Sequence, residues 1–248
     1  MIARRFASAL LAASFAAGAL FATAAAKTPS TSYYLTPAEV DLSQLLEPPP
    51  APASSVARED VDTMAAVEAQ RTQADLDQAQ ADKRRNVFSF ADAVGPRFVT
   101  GQLPLTAALF ARTSGDTEVL VAQAKAYFDR PRPEGARQTH GSYPSGHAAF
   151  AACTAILLSD MVPERRDAIF QRAEIFADRR IVAGVHYPTD VEAGWIAGTI
   201  VAYALMLQPR FANDFRAART ELRTALGYPV AATSGGVKTF GAVLTSEK

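Results

Sequence analysis

The sequence predicts an all-α protein, a compact helical bundle with one central buried helix. No alternation of apolar and polar residues is long enough for a sheet, several stretches repeat apolar residues at helical spacing, and residues 148–158 form an apolar, alanine-rich run. Because 49% of the 248 residues are hydrophobic, a large core is expected. Cys153 is the only cysteine, so an internal disulfide is excluded, and we expect Cys153 to be a small buried apolar residue.

Residues 1–26 have the features of a secretory signal peptide. The arginines Arg4 and Arg5 precede an apolar run, and small residues follow that suit cleavage after Ala24 or Ala26. The arginine pair leaves the twin-arginine route open beside general secretion, and the apolar run leaves an uncleaved anchor open. We expect a periplasmic protein with no stable membrane insertion after cleavage.

The charge balance gives no sign of a nucleic-acid partner. The predicted signal peptide contains two of the 25 basic residues and no acidic residue, so 23 basic residues would face 25 acidic ones in the mature chain. Proteins that bind nucleic acid usually carry a basic excess.

The rest of the chain is predicted to form one domain with two extensions. Residues 27–57 are rich in Pro, Ser and Ala and predict an extended N-terminal arm packed along the body. Residues 58–228 predict the helical domain, in which residues 58–92 have helical character. Residues 229–248 are rich in Gly, Ser and Thr and predict a loose C-terminal tail.

Two helices are expected before the centre of the chain. The first runs from about Leu105 to Arg112, and Asp116 is expected to cap a second one that ends near Phe128. The run from Arg130 to Pro133 alternates Arg and Pro and should end it.

The central helix is expected from Gly146 to about Met161, with Ser145 as its N-cap. The backbone N–H groups of Ser145, Gly146 and His147 should be unpaired and point outward at the positive end of the helix dipole. Such a helix start is suited to binding an anion.

Three more helices complete the predicted bundle. One starts at Pro163 and carries arginines near its end, and Thr189 or Asp190 is expected to cap the next, an apolar core helix over residues 193–207. The last is amphipathic and covers residues 211–226.

Two histidines lie where helices begin or break. His147 falls in the first turn of the central helix, and His186 lies in a break with Asp190 four residues later. A carboxylate at that spacing can accept the imidazole N–H and hold one tautomer. His140 lies in the preceding loop, and we expect it at a pocket rim or in solvent.

Three cations lie at helix edges beside turns that contain Gly or Pro: Lys125, Arg132 and Arg180. Arginine binds phosphate with a planar fork and lysine as a point charge. An isolated Lys or Arg is normally only solvated. It is therefore the spacing of these cations relative to the histidines that indicates a phosphate site.

The combined spacing resembles the three-part signature of the type 2 phosphatidic acid phosphatase superfamily, which includes vanadium haloperoxidases. The blocks are Lys125-x6-Arg132-Pro133, Pro144-Ser-Gly-His147 and Arg180-x5-His186-x3-Asp190. Within that superfamily the chain is similar to bacterial class A non-specific acid phosphatases, which are secreted and soluble.

The resemblance implies a secreted acid phosphatase that hydrolyses small phosphate monoesters over a broad range. His186, oriented by Asp190, would attack phosphorus and form a phosphohistidine, while His147 would protonate the leaving group and then activate water. The residues that would hold the phosphate oxygens are Lys125, Arg132, Ser145, Gly146 and Arg180. An acidic pH optimum follows, because His147 must be protonated while His186 is neutral.

No cofactor or metal site is expected, because the sequence has no His-Glu-x-x-His motif, carboxylate cluster or Walker loop. The resemblance and the apolar arm suggest a homo-oligomer. Arg179 stands where the family usually has Ser. It could add positive charge near the phosphate or face solvent, and we expect the second. Ala148 replaces a common Thr, and the loop between Pro133 and Gly141 is short, which leaves substrate preference open.

Three alternative functions remain. A vanadium-dependent haloperoxidase would use the same residues to hold vanadate, and a lipid phosphatase would act on lipid headgroups. A phosphate-binding protein without turnover would need the cations but not His147, His186 and Asp190.

Overall fold

The structure is a computed structural model that describes residues 32–136 and 140–230. The predicted signal peptide and most of the predicted tail therefore lie outside the described residues. The described residues form nine α-helices: α1 (Leu42–Leu45), α2 (Ser55–Gln70), α3 (Gln73–Ala81), α4 (Ala91–Val94), α5 (Pro104–Phe128), α6 (Gly146–Met161), α7 (Arg166–Val182), α8 (Pro188–Met206) and α9 (Pro209–Leu226). Short 3₁₀ helices cover Val87–Phe90 and Pro163–Arg165. Since this part of the chain contains no strand, the all-α prediction is confirmed.

Helix α6 is the centre of the bundle. It packs most extensively against α7 and α8 and also contacts α5. Its side chains are buried on nearly every face, including the thiol of Cys153, whose pKa burial raises to about 12. An all-round apolar helix is stable in water only when neighbouring helices cover it, as they do here.

Two glycines of α8 let this helix approach α6 closely. A Cβ atom at Gly194 would lie 2.4 Å from the carbonyl oxygen of Ser145, and one at Gly198 would lie 2.2 Å from that of Ala149. No side chain fits at these distances. The close approach brings the start of α8 beside the start of α6, where the second and third sequence blocks meet.

Helix α5 is continuous, so the predicted break at Asp116 is wrong. Asp116 is fully buried in the middle of the helix, and its carboxylate accepts the N–H groups of Tyr33 (2.5 Å), Tyr34 (2.9 Å) and Leu35 (3.2 Å). The arm lacks secondary structure at this point, and a buried N–H group requires an acceptor. Asp116 therefore anchors the arm rather than capping a helix.

The arm follows the body as a mostly irregular segment. It buries Leu35, Leu42 and Leu46 in the common core and contains the one-turn helix α1. Helix α2 begins at Ser55, with the Ser54 hydroxyl accepting the N–H of Ala57 at 3.1 Å, so the first helix of the body starts slightly before residue 58.

Tyr187 is the N-cap of α8, so the expected cap at Thr189 or Asp190 is wrong. Asp190 is the third helical residue, and its carboxylate accepts the N–H of Tyr187 at 2.9 Å. This bond turns the carboxylate back toward the residues that precede the helix, including His186.

Over residues 32–136 and 140–230, no single helix is both long enough and apolar enough to cross a membrane. Helices α8 and α9 meet these criteria only as a pair, and the chain bends by 95° between them.

Candidate active site

A cavity of about 1130 Å³ lies between α3, α5, the start of α6 and the end of α7. Six of the eight predicted site residues line it: Lys125, Arg132, Gly146, His147, Arg180 and His186. The fold thus brings together three segments that are well separated in the chain.

His186 is almost fully buried and is held by Asp190. Its Nδ1 lies 3.3 Å from Oδ2 of Asp190. Burial lowers the pKa of His186 to about 4 against the opposing effect of Asp190, and nearby Lys125 lowers it further. Burial alone would raise the pKa of Asp190, but its hydrogen bond to His186 and the charge of Arg130 bring it below the usual value. The pair is therefore a neutral imidazole beside a carboxylate, with the Nδ1 proton directed at Asp190.

Arg130 bridges the carboxylates of Asp190 and Asp60, a contact that the sequence did not predict. The guanidinium of Arg130 donates to Oδ1 of Asp190 at 2.6 Å and to Oδ2 of Asp60 at 2.7 Å. Asp60, on α2, also accepts the N–H of Thr189 at 3.0 Å. The need of a buried Asp190 for a counterion could have pointed to Arg130, in the same Arg-Pro run as Arg132. Nothing in the sequence singles out Asp60 among the exposed acids of its helix.

Arg132 spans the cavity wall beside His186. Its Nη1 donates to the carbonyl of Val185 at 2.6 Å and lies 3.3 Å from Nε2 of His186. Its Nε donates to the carbonyl of His140 at 3.0 Å, and its Nη2 lies 3.1 Å from Nδ1 of His140. The exposed His140 is therefore a rim residue in contact with a predicted phosphate ligand.

Lys125 is a buried cation at the end of α5. Its Nζ donates to the carbonyls of Gly141 (2.8 Å) and Ser142 (2.7 Å). Burial lowers its pKa to about 7, and the charge of Arg132 lowers it further. An ammonium has three donors, so one N–H remains for a ligand.

Arg180 is also buried, and it joins α7 to α3. It donates a short hydrogen bond through Nη2 to the carbonyl of Ala79, while its Nε is buried without a hydrogen-bond partner. Burial lowers the pKa of Arg180, against the effect of nearby Asp82. Arg180 is nonetheless one of the residues that line the cavity.

Arg179 does not face solvent as predicted. Its guanidinium donates to the carboxylate of Asp82, which also accepts from Arg172 at 2.6 Å, and it donates to Oε1 of Gln78 at 2.7 Å. The reason is the position of α3, which lies against α7 and supplies these acceptors. Arg179 therefore fixes one wall of the cavity.

The start of α6 is only partly available to an anion. The N–H of Ser145 donates to the carbonyl of Asp190 at 2.8 Å, so it is not unpaired as predicted. The hydroxyl of Ser145 is fully buried and caps the helix by accepting the N–H of Ala148 at 3.4 Å. The first-turn N–H groups of Gly146 and His147 remain as candidate donors on the cavity wall.

His147 lines the same cavity as His186. Its Nε2 lies 2.9 Å from the carbonyl of Lys83, and its ring stacks on Phe176 with centroids 5.9 Å apart. Burial lowers the pKa of His147 to about 3, and the charge of Arg180 lowers it further. Both histidines are therefore neutral at neutral pH before a ligand binds.

Chemically, the site combines a tautomer-fixed imidazole, a second imidazole and three cations around one cavity. A dianion would neutralise these cations and raise the pKa of both histidines. In the two described ranges, no group of three or more His, Cys, Asp or Glu side chains is arranged to hold a metal ion.

Comparison with known proteins shows what the chain is similar to. Residues 102–214 match the PAP2 superfamily. The chain is 33% identical over 150 residues to the acid phosphatase of Zymomonas mobilis, covering 55% of this chain and 56% of that protein. It is 33% identical over 114 residues to the non-specific acid phosphatase of Salmonella typhimurium, covering 41% of this chain and 46% of that protein. The alignments thus span about half the length of these curated relatives.

One solved structure gives a partial match. It is that of the transmembrane PAP2 type phosphatidylglycerolphosphate phosphatase from Bacillus subtilis, with a TM-score of 0.46 and 19% identity over 65% of this chain and 87% of that one.

Proposed function

Since the chain carries a PAP2 superfamily domain and is homologous to bacterial non-specific acid phosphatases, we propose that it hydrolyses phosphate monoesters through a phosphohistidine on His186. One observation carries the proposal. His186 directs Nδ1 at the buried Asp190 and Nε2 toward Arg132 in the cationic cavity. With the proton on Nδ1, the lone pair of Nε2 is free to attack phosphorus.

The first step forms a bond from Nε2 of His186 to phosphorus while the bond from phosphorus to the ester oxygen breaks. His147, protonated once the dianion has raised its pKa, gives its proton to the departing oxygen, and the alcohol leaves. In the second step His147 accepts a proton from water, the water oxygen attacks phosphorus, and the bond from phosphorus to nitrogen breaks. Inorganic phosphate is released and both histidines return to their starting states.

Lys125, Arg132 and Arg180 stabilise the charge that shifts among the three equatorial oxygens. The guanidinium of Arg180, the remaining N–H of Lys125 and the N–H groups of Gly146 and His147 supply the hydrogen bonds. Preorganised donors of this kind typically contribute about 10²–10³ in rate each. The cations supply the positive charge for which other phosphatases use a metal, so the proposed reaction is metal-independent.

The cavity supports a broad range of small phosphate monoesters. Its volume of about 1130 Å³ leaves room for a leaving group beside the phosphate, and its wall toward α3 carries mixed side chains such as Gln73, Leu76 and Gln80. Such a wall fits varied alcohol groups without selecting one strongly.

The test is hydrolysis of para-nitrophenyl phosphate across acidic and neutral pH with excess chelator, for the wild type, His186→Ala and Asp190→Asn. We expect chelator-resistant activity in the wild type. His186→Ala should lose at least about 10³-fold in kcat, and Asp190→Asn should lose activity because the amide can no longer hold the imidazole tautomer. Circular dichroism and thermal unfolding control for misfolding. Activity that needs a metal, or that survives His186→Ala, would contradict the mechanism.

Export to the periplasm is part of the proposal and rests on the residue pattern of positions 1–26. Cell fractionation of the full chain beside a chain that starts at Lys27 tests it. We expect activity in the periplasmic fraction only when residues 1–26 are present.

A further inference from the structure

We propose that Arg85 is a fourth cation of the phosphate site, held beside it by Glu118. This inference rests on the proposed function. Arg85 lies outside the three sequence blocks, in the segment Lys83-Arg84-Arg85 between α3 and the 3₁₀ helix Val87–Phe90.

The position of Arg85 is the first support. It lines the same cavity as Lys125 and His186. Its Nη1 lies 3.1 Å from the point where a Cβ atom of Gly146 would stand. The guanidinium therefore lies against the first residue of α6, whose N–H is a candidate phosphate donor, and a side chain at position 146 would push it away.

The segment that carries Arg85 is attached to the reacting groups. The carbonyl of Lys83, two residues earlier, lies 2.9 Å from Nε2 of His147. This contact limits how far Arg85 can move away from the cavity when a ligand enters.

The electrostatic field of Arg85 reaches the site. Burial is the main cause of the lowered pKa of both Lys125 and His147, and the charge of Arg85 lowers both further. A charge that disfavours protonation of these two groups is close enough to stabilise a phosphate between them.

Glu118 holds this extra cation beside the cavity. Its Oε2 lies 3.0 Å from Nη2 of Arg85, and the two side chains are 26% and 20% exposed. A guanidinium has five N–H donors in a planar fork, so a contact at Nη2 leaves the Nη1 side, next to Gly146, free to bind oxygen.

Arg85 also stays positively charged at a pH where Lys125 is only partly protonated. The pKa of Lys125 is lowered to about 7, so it is only partly charged at neutral pH, and two of its three donors are bound to backbone carbonyls. An arginine stays charged throughout this pH range. Arg85 would therefore preserve phosphate affinity as Lys125 loses its proton.

The experiment measures the dissociation constant of inorganic phosphate in two ways. One is isothermal titration calorimetry, and the other is competitive inhibition of para-nitrophenyl phosphate hydrolysis. Arg85→Gln should raise the dissociation constant for phosphate at least about tenfold, because a hydrogen bond to a charged group is lost. Arg85→Lys should recover part of the affinity. Glu118→Gln should leave affinity unchanged or tighten it, because the carboxylate competes with phosphate for Arg85.

Arg58→Gln is the matched control, since it removes the same charge from an exposed arginine of α2 that is not among the residues lining the cavity. It should change the dissociation constant by less than about threefold, because exposed charges are screened. Thermal unfolding of each variant confirms that it folds.

The different responses expected of Arg85→Gln and Glu118→Gln separate a ligand from a structural ion pair. If both variants weaken phosphate binding equally, or if Arg58→Gln matches Arg85→Gln, Arg85 is not a phosphate ligand. Phosphate binding by Arg85→Gln at wild-type strength, with hydrolysis intact in the wild type, overturns this inference alone. A wild type that neither binds phosphate nor hydrolyses the ester overturns the proposed function as well.

Discussion

Replacing Arg130 by glutamine removes the guanidinium that lies between two buried carboxylates. Arg130 donates to Asp190 at 2.6 Å and to Asp60 at 2.7 Å, and the two acids are 0% and 2% exposed. Without the cation, the acids lose their shared partner in a site that excludes water. One of them should then take up a proton.

The size of the effect follows from these contacts. Removing one partner of a buried ion pair typically costs about 3–5 kcal/mol of folding free energy. If the proton goes to Asp190, the charged hydrogen bond to His186 is lost. Such bonds contribute about 1.5–3 kcal/mol, which corresponds to a decrease in kcat of roughly tenfold to 150-fold.

The assay combines kcat for para-nitrophenyl phosphate, its pH profile and thermal unfolding. The double variant Arg130→Gln/Asp60→Asn removes one of the competing acids, so it should regain part of the stability lost in Arg130→Gln. The control is Arg112→Gln, which removes a partly exposed arginine bound to Asp214 at 2.7 Å. Ion pairs that solvent reaches typically contribute less than about 1 kcal/mol.

Two outcomes would refute this reasoning. The first is a kcat for Arg130→Gln within about threefold of the wild type, with the same pH profile. The second is a double variant that is less stable than Arg130→Gln, because the two acids would then not compete for a proton.

Four further outcomes are expected. The value of kcat/KM should peak well below pH 6.5, because the reacting form pairs protonated His147 (pKa about 3) with neutral His186 (pKa about 4), and a flat profile would contradict these roles. The pKa of His186 is lower in the folded than in the unfolded protein, so the free energy of unfolding should fall as pH drops from about 6.5 to about 4. Denaturant titration should show a weaker fall in His186→Asn. Gly198→Ala should cost about 1–3 kcal/mol, since its Cβ would meet the carbonyl of Ala149; unchanged stability in chemical denaturation would show that the helices can move apart. Asp116→Ala should cost at least about 2 kcal/mol and speed proteolysis of the arm, whose N–H groups lose their acceptor; an equally resistant arm would argue against this anchor.

Most of the fold was predictable because its helices have strong local signals. The Ser145 cap and the apolar run after it placed α6 correctly, and the amphipathic pattern predicted α9 over residues 211–226, two residues after its start at Pro209. The predicted break in α5 was wrong because Gly115-Asp116 is typical of a turn, yet tertiary burial keeps the helix continuous. Local propensity is weak where a side chain has a distant partner, as Asp116 has in the arm.

The candidate site was predictable only for residues that resemble a known pattern. His147, His186 and the three cations lie in ordered blocks, and the structure brings them to one cavity. Arg130 lies within the first block but was not identified, because its importance depends on two buried acids. The predicted role of Ser145 changed for a similar reason, since its N–H is already bound to the carbonyl of Asp190.

The sequence by itself determined the helical class, the central helix and the identity of the groups that can do phosphate chemistry, because these depend on local spacing and on side-chain type. The tertiary structure alone decided which groups are free to act. Close packing of α8 on α6 binds the Ser145 N–H and brings His186 to the same cavity as His147, and docking of α2 and α3 supplies Asp60 and the segment that carries Arg85. Such contacts join residues far apart in the chain, so no local pattern encodes them.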